Sequence, residues 1–193
     1  MGCGTTLSYL QARFPHDQIF AIEQQPYLAQ ISNQIVDTVC ANLDEWKGDD
    51  LAGAFDMILV NEILEFTKNP ETVLKELVKM LKQDGKLLIG FFNRAFYERI
   101  DENIGQDILF DRNSMQKLLA NVKMTVDDWM GIQPLEIPEQ EQKRIQKVAA
   151  QNPMLRQDDF VAMQWTCIAE RQRYKVWGQN GCLYADLWTS ECN

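Results

Sequence analysis

At 193 residues, with 46% apolar and 24% charged side chains, the chain suits one ordinary globular domain with a sizeable core. A net charge of -9 argues against an extended nucleic-acid or anionic-membrane surface, because clustered Lys and Arg hold such partners, and it favours small or neutral substrates. The five cysteines are scattered, odd in number and form no CxxC, which suits reduced thiols, and a lone histidine excludes a histidine-based triad or a multi-histidine metal site.

The chain opens on Gly2-Cys3-Gly4, followed by a helical segment from Thr5 to Phe14 with Leu7, Leu10 and Phe14 at helical spacing and Pro15 as its stop. Glycines leave no side chain between main chain and ligand, and the first turn of a helix points its N–H groups at the same place. After a turn at His16-Asp17, a short apolar strand over Ile19 to Ile22 ends on Glu23. A carboxylate at that strand end can accept hydrogen bonds from both hydroxyls of a ribose. The pattern is a nucleotide-binding half-unit, although an acid at a strand end is also a common solvated turn residue. A nicotinamide-dependent oxidoreductase would need a glycine where Leu7 stands.

Leu28, Ile31, Ile35 and Val36 predict a helix over Tyr27 to Val36, and Thr38 to Ala41 reads as a strand. Phe55 to Val60 is a near-continuous apolar run, the pattern of a strand buried on both faces. Asn69 as N-cap and Pro70 at the first helical position open a helix with Val73, Leu74, Leu77, Val78 and Leu81 as its buried stripe, which Asp84-Gly85 ends. Lys86 to Phe92 follows as another buried strand. Alternation of this kind predicts a doubly wound, mostly parallel α/β sheet of Rossmann-like form, helices on both faces and ligands at the carboxyl ends of the strands. Downstream come a helix over Ser114 to Leu119, a strand over Met124 to Ile132, an acidic, glutamine-rich insertion over Pro134 to Ala150, and a strand over Phe160 to Ala169. The insertion reads as a solvated helix or a lid. Two aromatic segments around Gly178-Gln179-Asn180-Gly181 predict a hairpin that either covers a sheet edge or faces another subunit.

Taken together, GCGTTLSYL, FAIE, CANLDEW, the block FDMILVNEILEFTKNPETVLKELVKMLKQDGKLLIGFFN and ILFDRNSMQKLLANV resemble the class I S-adenosylmethionine-dependent methyltransferases, most of all the small-molecule type found with glycan-assembly genes. The resemblance covers residues 1–170 as a methyltransferase-like domain and leaves 171–193 as an aromatic tail. It implies S-adenosyl-L-methionine as cofactor. Gly2, Cys3 and Gly4 would give backbone contacts to its methionine portion, Glu23 would hold the ribose, and Gln24 would lie near the adenine. Asn42, Leu43 and Asp44 match the loop that holds the adenine amino group, with Asn42 favoured for that contact, and Asn61 matches a main-chain contact at the amino-acid end. Without the flanking matches, Asn42 and Asp44 read as caps of a turn.

The sequence departs from the family's pattern at two places. The pattern begins with an apolar strand before the glycines, whereas here the chain starts inside the motif, so the expectation is a late start, a fragment, or a fold completed by swapping or dimerisation. Phe66 stands where many relatives carry histidine. Glu62 and Glu65 are then the nearby carboxylates that could serve as a base, each with a plainer reading as a helix N-terminal acid. The implied activity is methyl transfer to a hydroxyl or amine of a small molecule or glycan; a non-catalytic methyltransferase-like module acting in assembly is the alternative. No leader, no bilayer-length apolar run and no nucleic-acid surface are expected, which reads as a cytoplasmic protein.

Overall fold

The computed structural model describes residues 4–96, 110–132, 139, 142–143, 146–147, 150, 164–172, 174–178 and 181–185. The first four elements are α1 (Thr5–Arg13), β1 (Phe20–Glu23), α2 (Pro26–Ser32) and β2 (Asp37–Cys40). There follow β3 (Phe55–Asn61), α3 (Pro70–Met80), β4 (Leu81–Phe92), α4 (Arg112–Asn121), β5 (Met124–Ile132) and β6 (Gln164–Arg171). A hairpin of β7 (Tyr174–Gly178) and β8 (Gly181–Ala185) closes the described chain, with Gly178 opposite Gly181 as the turn signal predicts. The glutamine-rich insertion lies largely outside the described residues, as do Phe160 to Met163.

The strands form two groups. β1 and β2 pair in parallel, and a four-stranded sheet runs in the order β3-β4-β6-β5, parallel between β3 and β4 and antiparallel beyond. No ladder joins β1 to β3. Their first residues still meet, with the Phe20 and Phe55 rings 6.0 Å apart. The apolar run of β3 predicts burial on both faces, but among the described residues β3 has a ladder partner on one side only, and Met57 in its middle is 59% exposed.

The core follows the same division. Alternate residues Leu87, Ile89 and Phe91 of β4 face the stripe Val73, Leu74, Leu77 and Val78 of α3, with Met115 and Leu119 of α4 and Trp165, Cys167 and Ala169 of β6 in the same cluster. Burial pushes the Cys167 thiol up to about 12, so it is an inert apolar filler there. The second cluster is small: Leu7, Ala21 and Val36, flanked by Ile19 and Ile35. Polar ties join the two groups. Asp44 Oδ1 accepts the N–H groups of Lys68 and Asn69 at 2.9 and 3.3 Å, and Lys47 pairs with Glu76 at 3.3 Å.

Several boundaries differ from the sequence reading. α2 stops at Ser32, four residues before Val36, because successive turn bonds from Asn33 to Val36 take over and Asn33 Oδ1 accepts the Thr38 N–H at the start of β2. α3 ends at Met80 and not at Asp84-Gly85; Leu81 already pairs with Phe55, and a bulge follows before Met57 meets Lys86. Gly85 belongs to that bulge, where a β-carbon would lie 2.9 Å from the Phe55 carbonyl oxygen. α4 begins earlier than Ser114, since Asp111 caps it in a reciprocal box with Ser114. Arg171, read from sequence as the first residue of the tail, ends β6 and donates to the Val78 and Leu81 carbonyls at 2.9 Å each, closing the C-terminus of α3.

Candidate functional site

The carboxyl ends of β1, β2 and β3 converge with the start of α1. Gly4 precedes that helix at φ +81, a conformation that strains any other residue, and its carbonyl accepts the Ser8 N–H at 2.9 Å. A β-carbon there would also press on Ile35 at 3.0 Å. No side chain caps the first turn of α1. Gly2 and Cys3 lie outside the described residues.

Glu23, at the end of β1, is 7% exposed, and its Oε1 accepts the Gln25 N–H at 2.9 Å. Burial pushes its carboxyl up, but hydrogen bonds from the Gln25 and Gln24 main chain are among the groups that outweigh it, so the net direction is below the ordinary carboxylate value. The side chain is therefore an ionised acceptor at neutral pH, held by its own turn.

Next to it lies a pocket of about 60 Å³. It is lined by Ile22, Ala41, Leu43, Ile63, Phe66 and Thr67, with Gln24, Asn42 and Asp44 supplying the polar groups. Asn42 Oδ1 accepts the Asp44 N–H at 3.1 Å, an Asx turn. That bond uses one of the two lone pairs of the oxygen that the sequence reading offered to an amino group. Asp44 ties its Oδ1 to Lys68 and Asn69. A pocket lined by apolar side chains together with amide and carboxylate groups has the chemistry to take a purine.

At the end of β3, the Asn61 side chain lies across Gly90 of β4, with Gln164 Nε2 donating to Asn61 Oδ1 at 3.2 Å. Glu62 takes φ +52, and its N–H donates to the Gly90 carbonyl at 2.8 Å. Glu65 does not cap α3, which starts five residues later. It is 5% exposed, its Oε1 accepts the Phe92 N–H at 2.8 Å, and its Oε2 is buried without a hydrogen-bond partner. Burial raises its carboxyl above the ordinary value, with the Glu62 charge adding to the rise and the Glu65 and Phe92 main-chain N–H groups opposing it. A raised folded-state value means that Glu65 contributes stability below the unfolded value, about 4.3, and that this is lost as pH rises through the folded value. Glu65→Gln, which keeps an oxygen for Phe92, is thus expected to gain stability relative to wild type as pH rises from 4 to 7. Urea unfolding of both proteins across that range checks this; a constant difference would mean that Glu65 ionises alike in the folded and unfolded chains.

The sequence reading missed Ile22, Ile63, Phe66 and Thr67 as pocket walls and Gln164 as a partner of Asn61. Their only signal was position, after a strand or in the junction that follows β3. Among the described residues no group of His, Cys, Asp and Glu could hold a metal ion, and no helix is long and apolar enough to cross a membrane.

A family profile described as "Methyltransferase domain" matches residues 1–87, the span that carries α1, β1, β2, β3 and α3. Residues 1–87 are thus similar to a methyltransferase domain. Solved structures of the same fold extend the likeness over the domain and beyond. The plantazolicin methyltransferase BpumL, in complex with a pentazolic desmethylPZN analogue and SAH, matches with TM-score 0.62 and 13% identity, over 89% of this chain and 74% of that one. The Burkholderia thailandensis 1,6-didemethyltoxoflavin-N1-methyltransferase, with 1,6-didemethyltoxoflavin and S-adenosylhomocysteine bound, matches with TM-score 0.57 and 16% identity, over 89% and 68%. A Haloferax volcanii complex of the Trm112 methyltransferase activator and a putative methyltransferase gives TM-score 0.59 and 14% identity, over 88% and 80%. A curated relative, an uncharacterised protein of Methanocaldococcus jannaschii, is 41% identical over 51 residues, and the match spans a quarter of each chain. Glu23 and the pocket lie at the carboxyl ends of β1 and β2, where an open α/β sheet binds its ligands.

Proposed function

We propose that this chain transfers a methyl group from S-adenosyl-L-methionine to a hydroxyl or amine of a small molecule or glycan. The observation that carries the reading is the buried, ionised Glu23 beside a pocket lined by apolar and polar side chains, a ribose acceptor next to a place for the base. The residues present fit the cofactor: the Gly4 turn opens main chain to the methionine portion, Glu23 accepts the ribose hydroxyls, and the pocket takes the adenine. Asn42 Oδ1 accepts the Asp44 N–H with one lone pair and keeps a second for the adenine amino group, and the Asp44 carboxylate beside it offers a further acceptor. Gln24 and Leu43 border the base, and Asn61 faces the amino-acid end.

Bound there, the cofactor supplies a methyl carbon already made electrophilic by its sulfonium. The chain's part is to hold the donor, exclude water and align the acceptor, which is positioning catalysis and needs no acid or base. Glu65, turned inward onto Phe92, is poorly placed to take a proton from solvent, and Glu62 is the more accessible carboxylate. A cytoplasmic setting belongs to the same reading, supported by the free thiols of Cys40 and Cys167.

Calorimetric titration with S-adenosylhomocysteine tests the donor site, and transfer of labelled methyl to a panel of sugars and amines tests the acceptor. Saturable binding with label transfer is expected. Binding without transfer to any acceptor would favour an assembly module, and no binding by folded protein would overturn the reading.

A further inference from the structure

Asn61, the last residue of β3, pairs with Gly90 of β4, which in turn stands opposite Thr166 of β6. A β-carbon on Gly90 would collide with Asn61 Oδ1 and lie 3.0 Å from Gln164 Nε2, so two amide side chains already fill the space above the glycine. They bond to each other there at 3.2 Å. β3 and β6 are not neighbours, and two strand spacings of about 4.8 Å separate them, so the amides can meet only across a residue that has no side chain. The next residue, Glu62, takes φ +52, a left-handed conformation that persists in a residue with a side chain only where its surroundings hold it. Its N–H donates to the Gly90 carbonyl at 2.8 Å. The Asn61–Glu62 turn is thus tied to β4 by main chain and to β6 through the amide bridge.

We infer that Gly90 and Gln164 are positioning residues that hold the Asn61–Glu62 main chain in the shape that receives the amino-acid end of the cofactor. This rests on the donor-site reading above. Both act through Asn61: with the bridge open its side chain turns freely, and the strained turn must be ordered again when ligand binds, which weakens affinity. The effect is confined to one end of the ligand. Glu23, Asn42 and Asp44 stand at the exits of β1 and β2, which share no ladder with β4 or β6, and the residues after Glu62 have anchors of their own, Leu64 in the main core and Glu65 on the Phe92 N–H.

The experiment is calorimetry with S-adenosylhomocysteine and with 5′-methylthioadenosine, which lacks the amino-acid end, on wild type, Gln164→Ala, Gln164→Met and Gly90→Ala. Gly90 has no positive φ, so alanine suits its backbone and displaces only the amide ends; circular dichroism verifies the fold of each variant. Loss of one hydrogen bond corresponds to about a two- to tenfold change in affinity. All three variants are expected to weaken S-adenosylhomocysteine by a factor in that range and to leave 5′-methylthioadenosine unchanged. Gln164→Met keeps the side-chain length without the donor, so its loss should match that of Gln164→Ala. In an Asn61→Ala background, Gln164→Ala should cost nothing further, because the residue through which it acts is gone. Wild type binding both ligands, with the variants weakening both alike or neither, would overturn this inference alone. Failure of folded wild type to bind either ligand would overturn the donor-site reading itself.

Discussion

Glu23→Ala should weaken S-adenosylhomocysteine binding by about a hundredfold or more. A carboxylate that accepts two ribose hydroxyls makes two hydrogen bonds to a charged group, each worth roughly 1.5 to 3 kcal/mol, and every 1.4 kcal/mol is about a factor of ten in affinity. The loss is large because the site is already organised before ligand arrives. Glu23 is 7% exposed, closes its own turn through the Gln25 N–H, and has its carboxyl below the ordinary value, so it needs neither ordering nor deprotonation to bind. Glu23→Gln separates charge from shape: it keeps one oxygen and the side-chain volume, and should lose about tenfold. Calorimetry on all three proteins gives the ranking wild type, Gln, Ala. Equal affinities would remove the carboxylate from the ribose, and with it the placement of the nucleoside in this crevice.

How much of this was legible in the sequence follows from what each signal depends on. α3 was read closely because Asn69, Pro70 and the stripe from Val73 to Val78 are local signals, and the Asn69 side chain does accept the Thr72 N–H at 3.1 Å. Glu23 was found because strand, acid and preceding glycines lie within one unit. The end of α2 was missed because it is set by Asn33 reaching Thr38, a contact that periodicity does not encode. Asn42 illustrates the limit at the site. Its residue type allows it to bind an amino group or to close a turn, and only the coordinates show that its Oδ1 accepts the Asp44 N–H and closes the turn with one of its two lone pairs. The wall residues Ile63 and Phe66 carried no chemical signal at all, since they acquire a role only when the junction after β3 is folded against the exit of β2.

Phe91→Ala is expected to cost about 3 to 5 kcal/mol, the usual range for truncating a fully buried phenylalanine, and to lower the melting temperature by roughly 10 °C in a protein of this size. Phe91 is 0% exposed and stands in an aromatic row: its ring meets Phe110 and Trp129 edge-on at 6.1 Å each, Trp129 meets Trp165 at 6.1 Å, and Arg112 lies 4.6 Å from the Trp165 centroid. Removing the ring opens a cavity between β4, β5 and the entry to α4, which rigid neighbours cannot close. Phe92→Ala, one residue on and half-buried on the opposite face of β4, keeps the main-chain N–H that binds Glu65 and should cost only about 1 kcal/mol. Thermal melts of the two variants beside wild type decide it. A Phe91 variant no worse than the Phe92 variant would mean that the aromatic row does not organise the core. The expected asymmetry also bears on function, because the pocket wall formed by Ile63, Phe66 and Thr67 rests on Leu64, a member of that same core. A softened core should therefore weaken S-adenosylhomocysteine binding in Phe91→Ala even at temperatures where the chain remains folded.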